Sequence, residues 1–120
     1  MFARCNSIPR AISDVRDVLN WLEKGGERPF AEWECQSLKV AEAWALIVHV
    51  RQGITNEDHE QPVDSWVETC NNVICDLNSL FAFTSAMDER NAKRQAQISL
   101  SALSNLELTR CPTSCGSAVV

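Results

Sequence analysis

A chain of 120 residues with 45% apolar side chains is long enough to bury one ordinary core. Its net charge of −5 argues against a nucleic-acid binder, which needs clustered Lys and Arg. Residues Met1 to Arg10 hold no apolar run of signal-peptide length, and no segment is long and apolar enough to cross a bilayer. The expectation is a cytoplasmic chain with no membrane contact, whose six cysteines stay reduced and behave as small hydrophobes.

In chain order, Ser7-Ile8-Pro9 reads as an extended lead-in. Ser13 is a good N-cap, and Asp14 places an anion in the first turn. Val15, Val18, Leu19 and Leu22 follow at helical spacing until Gly25-Gly26 stops the helix. Trp21 lies beside this stripe. Pro29 opens a second helix, predicted over Ala31 to Gln52 and ended by Gly53. Its apolar positions (Trp33, Leu38, Ala41, Trp44, Ala45, Ile47 and Val48, with Phe30 just before) wrap more than half of its surface, which implies contact on two sides. Ile54 to Gln61 reads as a polar loop.

The third helix carries the longest stripe. Val63, Trp66, Cys70, Val73, Leu77, Leu80, Thr84 and Met87 fall alternately three and four residues apart, with Val67, Ile74 and Phe81 beside them. On a helix of ~3.6 residues per turn these make one broad apolar face over about 25 residues. Apolar flanks make the face too wide for a two-stranded zipper, so it suits a bundle, within one chain or shared between two. The seam residues Val63, Trp66, Cys70, Val73, Leu77 and Leu80 are thus expected in a core or a dimer interface. A fourth helix is expected over Ala92 to Leu106, with Ala96, Leu100 and Leu103 at helical spacing and Glu107 interrupting it. Ile98, Leu100 and Ala102 alternate as a strand would. Residues 111–120 read as a flexible C-terminal tail, leaving 1–110 as a single helical domain. The predicted fold is all-α, a small bundle of three to four helices with one long central helix.

Catalytic and metal chemistry find little support. Cys70 and Cys75 are five residues apart and diverge by ~140° on a helix. Cys111 and Cys115, four apart, lack the tighter spacing of zinc pairs, and His49 and His59 have no indicated third ligand. Cys35, His49 and Cys75 show no spacing that favours a thiolate with a base over packing. The glycines stand apart, so no phosphate loop forms. Glu32, Glu34 and Glu42 read as the wet side of the second helix. Neither enzyme activity nor a cofactor is expected. Between Arg51 and Arg90 there is no Lys or Arg but eight carboxylates, a solvated acidic face or a surface that steers toward a basic partner.

Trp21, Trp33, Trp44 and Trp66 all fall on predicted helices. Tryptophan is enriched at binding hot spots, so at least one is expected in an interface. Trp33, between Glu32 and Glu34, is the first choice for exposure, and Phe83 the second. Trp33, Leu38, Trp44, Phe81 and Phe83 are the candidate partner-binding residues.

In size, acidity and the helical layout of Glu32 to Gly53 and Val63 to Thr84, the chain resembles the small QslA-type antiactivators of LuxR-type quorum-sensing receptors. The resemblance covers most of the chain at the level of pattern and rests on no short motif. It implies a cytoplasmic homodimer that binds a LuxR-type transcriptional regulator at its ligand-binding domain. The dimer would cover the receptor's dimerisation surface and so prevent DNA binding. The expected function is accordingly stoichiometric inhibition by protein contact. The rival readings are a phage-type inhibitor of a host complex, a secretion chaperone and a structural subunit of a larger assembly.

Overall fold

The computed structural model describes residues 2–56 and 64–109, with side chains placed for 7–53 and 65–108. These residues form four helices: α1 (Phe2–Lys24), α2 (Phe30–Asn56), α3 (Asp64–Ser85) and α4 (Glu89–Thr109). Among the described residues there is no strand. Each helix packs on two neighbours, α1 on α2, α2 on α3, α3 on α4 and α4 on α1, while the backbones of the diagonal pairs stay apart among the described residues and side chains of all four helices share one core. Successive cross-helix bonds advance along one helix as they retreat along the next, Arg10–Glu42 then Trp21–Glu32 between α1 and α2, and Ser37–Thr84 then Arg51–Asn71 between α2 and α3, so these neighbours run antiparallel. The result is an up-down-up-down four-helix bundle measuring 51 × 24 × 19 Å. The four helices have 23, 27, 22 and 21 residues, so α3 is one corner of a square and not a longer central rod.

Helix α1 starts well before Ser13, which lies mid-helix and exposed. The segment Ser7-Ile8-Pro9 is helical and not extended. Pro9 lacks an N–H and strains an interior turn, but its ring faces solvent while Ser7 and Ile8 are buried. The stripe Ile8, Ala11, Ile12, Val15, Val18 and Leu22 then runs unbroken along the core face. Gly25 and Gly26, at φ 75° and 93°, end the helix in a backbone region costly for other residues.

Helix α2 does not stop at Gly53 but continues to Asn56, taking up the first residues of the expected loop. A single Gly costs a helix only ~1 kcal/mol, and Ile47 and Val50 just before it are fully buried. The N-terminus is organised by the Pro29 carbonyl, which accepts bonds from the Glu32 and Trp33 amides. Apolar side chains on two sides of α2 match its position between α1 and α3.

The α3 seam is buried at Trp66, Cys70, Val73, Leu77, Leu80 and Thr84. Val63 and the 111–120 tail lie outside the described residues. Met87 does not extend the stripe: it is exposed, with a φ of 56°. The Asp88 amide bonds back to Phe83 O and the Met87 amide to Thr84 O, a Schellman ending in which Met87 takes the position usually held by Gly. Asp88 then caps α4, its Oδ1 accepting from the Asn91 amide and its Oδ2 from the Asn91 side chain.

Helix α4 buries Ala92, Ala96, Ser99, Leu103 and Leu106. The seam therefore passes through Leu106, one residue before Glu107, and is not interrupted. Three of its five members are small, so the stripe is faint in sequence.

Candidate functional site

Two seams flank α2, and they close differently. On the α1 side the surface is polar. Arg10 Nη2 donates to Glu42 Oε2 at 2.9 Å, and Lys39 Nζ to Asp17 Oδ2 at 3.3 Å. Trp21 Nε1 donates to Glu32 Oε1 at 3.0 Å. The rings of Trp21 and Trp33 meet edge to face at 4.9 Å, and the Arg28 guanidinium lies 5.0 Å from the centre of the Trp21 ring. Arg28 also donates to Leu22 O and Glu89 Oε1, both at 2.6 Å, tying the end of α1 to the start of α4.

Within this seam Asp14 is half-buried beside Glu42. Burial first, then hydrogen bonding with and repulsion from Glu42, push its carboxyl up to about 6, against the opposing pull of Lys39 and Arg10. Its Oδ2 is buried and has no partner among the described residues.

On the α3 side the surface is apolar. At the floor Ser37 Oγ donates to Thr84 Oγ1 at 2.9 Å, and Thr84 Oγ1 donates to Phe81 O at 3.1 Å, so both buried hydroxyls are satisfied. Around this pair lies a groove of about 410 Å³ lined by Phe30, Trp33, Glu34, Leu38, Phe81 and Ser85. Leu38 is 68% exposed, Phe30 61% and Phe81 42%. Trp44, two turns beyond Ser37 on the same side of α2, is 38% exposed. Four large apolar side chains along one helix pair are more than scattered exposure of the kind every surface shows.

The structure thus brings Leu38 and Phe81 from the expected contact residues to one groove and adds Phe30, which sequence reading placed only at the edge of α2, while Trp44 is exposed further along α2 and does not line it. Two others differ from expectation. Trp33 lines the groove but is only 5% exposed, its ring packed edge to face on Trp21, so the exposure expected of it is not found. Its charged neighbours mislead because residues adjacent in sequence point ~100° apart on a helix. Phe83 is partly buried against the core and sits ~200° around α3 from Phe81, so the two share no surface. Of the flank Val67, Ile74 and Phe81, the first two are largely covered and only Phe81 stays open.

The acidic stretch before Arg90 is not one uniform face. Asp88 caps α4 and Glu89 pairs with Arg28, while Glu68 is exposed on α3. Residues 57–63 lie outside the described residues. Among the described residues no three His, Cys, Asp or Glu side chains converge as a metal site would require. No helix among them is long and apolar enough to cross a membrane. No protein-family model, curated protein or solved structure matches the chain.

Proposed function

We propose that this chain acts by stoichiometric protein contact through the α2–α3 face, covering a surface that a regulatory protein needs for its own assembly. The observation that carries this reading is the groove walled by Phe30, Leu38 and Phe81, left open on the α2–α3 face, with Trp44 exposed further along α2. A contact of this kind needs no catalytic group. It needs apolar anchors on a rigid base, and the satisfied Ser37–Thr84 pair supplies a fixed floor.

The specific form of the proposal is an antiactivator of a LuxR-type quorum-sensing regulator, blocking its dimerisation and hence its DNA binding. Its support is the resemblance in size, acidity and helical layout, together with an apolar face able to compete with a self-interface. The deciding measurement is solution mass, for the chain alone and mixed with a LuxR-type ligand-binding domain. The expected result is a defined mixed complex with reduced receptor self-association, and the chain alone reads whether it is a homodimer. A chain that ignores the receptor at tens of micromolar overturns the antiactivator reading.

A further inference from the structure

We infer that the α2–α3 groove seats one amphipathic helix of a partner protein, apolar face down, with a Lys or Arg beside Glu34. The inference rests on the contact reading above and names the chemistry of the occupant.

Shape comes first. The groove runs between two antiparallel helices, and its floor is made of small side chains, Ser37 and Thr84, between large walls, Phe30, Leu38 and Phe81. Large side chains on a third helix enter such a hole in the way helices normally pack, at axial distances of ~8–10 Å. From Phe30 to Trp44 the face spans about 21 Å at 1.5 Å per residue, the length of a helix of about 14 residues. Such a helix would present apolar anchors at i, i+4, i+7 and i+11.

Charge selects the partner. Glu34 is the one charged residue among those lining the groove, and it makes no ion pair among the described residues. Glu32, Glu42, Glu89 and Asp17 are bonded to side chains of another helix or of the α1–α2 loop, and of the exposed carboxylates without such a bond among the described residues, which include Glu23, Glu27, Glu68 and Glu107, Glu34 is the one at the groove. A basic side chain on the incoming helix complements Glu34. A second copy of this chain would instead bring another Glu34 and another net charge of −5 to the same face. That disfavours self-docking.

The test is an NMR titration of the isotope-labelled full chain with lactam-bridged 14-residue helical peptides. One carries Leu at positions 1, 5, 8 and 12 flanked by Lys; one replaces Lys by Glu; one has the Lys composition with its Leu residues spread around the helix. The first peptide is expected to move the amides of Glu34, Ser37, Leu38 and Phe81, and to bind about fivefold more tightly than the Glu peptide. Glu34→Gln should remove that preference, whereas Glu68→Gln on the exposed side of α3 should leave it. Equal binding of Lys and Glu peptides at the groove overturns the charge assignment while the contact reading survives. Equal binding of the spread peptide overturns the helix assignment. Concentration-dependent shifts of the same amides without peptide identify a second copy as the occupant and overturn the inference. If no peptide moves these amides the inference fails, and the contact reading is then judged by the receptor measurement alone.

Discussion

The two sides of α2 share one helix and one core, yet they finish in opposite ways. Toward α1 the rim is polar, made of ion pairs, an indole bond to Glu32 and the stack of Arg28, Trp21 and Trp33, around a smaller groove of about 300 Å³ lined by Asp17, Trp21, Gln36 and Lys39. Toward α3 the rim is Phe30, Leu38, Trp44 and Phe81, all open to solvent. The floor on the α3 side is satisfied by the Ser37–Thr84 pair, whereas the α1 side leaves Asp14 Oδ2 buried without a partner among the described residues, so the open apolar rim does not repair a defect beneath it. A polar rim keeps a seam soluble and private. An apolar rim leaves free energy available to a partner, because each large apolar side chain covered is worth ~1.5–3 kcal/mol.

Substitutions on the two rims should therefore separate stability from binding. The largest effect on folding is expected from Arg28→Ala. It removes two bonds from a nearly buried guanidinium and its stacking on Trp21, and should cost about 2 kcal/mol in chemical denaturation. A loss below about 0.5 kcal/mol would mean that the α1 side is not held by this residue.

Asp14→Asn should act in the other direction. The folded carboxyl titrates near 6, above its ordinary 3.8, so the folded state holds an extra proton between these values. Stability contributed by this site is present below about pH 4 and is lost as pH rises through about 6. The Asn variant escapes that loss and should be more stable than the parent at pH 7 by about 1 kcal/mol, solvent screening at a half-buried site keeping the gain small. The advantage should vanish near pH 4. Thermal melts at the two pH values decide it, and an advantage that grows toward acid would refute the assignment.

The smallest effect on folding is expected from Leu38→Glu, because its side chain is mostly in water already. Stability should change by less than about 0.5 kcal/mol. The mixed complex with the receptor domain should nevertheless be lost in the same solution-mass measurement. A variant that folds and still forms the complex would move the contact off this groove.

How much of this was legible beforehand differs from helix to helix. The α3 seam from Trp66 to Leu80 is plain in sequence because every member is apolar and the spacing is regular. The α4 seam is obscured because Ala92, Ala96 and Ser99 are small, while the larger Leu100 flanks the core half-buried and Ile98 is exposed. Pro9 and Gly53 read as boundaries by local propensity, yet both lie inside helices, since buried neighbours hold the backbone helical. At the candidate site, Leu38, Trp44 and Phe81 were legible as surplus apolar residues. Trp33 and Phe83 have the same composition signal and different fates.

The sequence by itself determined that the chain is helical, where the principal apolar stripes lie, and that Gly25-Gly26 separates the first two helices. These follow from periodicity and backbone preference, which are local properties. Only the tertiary structure decided which of the surplus apolar side chains are open. Exposure depends on what the neighbouring helix places opposite: Trp21 covers Trp33, whereas the small side chains Ser37 and Thr84 leave Phe30, Leu38 and Phe81 standing around a groove. That pairing is set by the angle and register at which α2 meets α1 and α3, and no single helix encodes it.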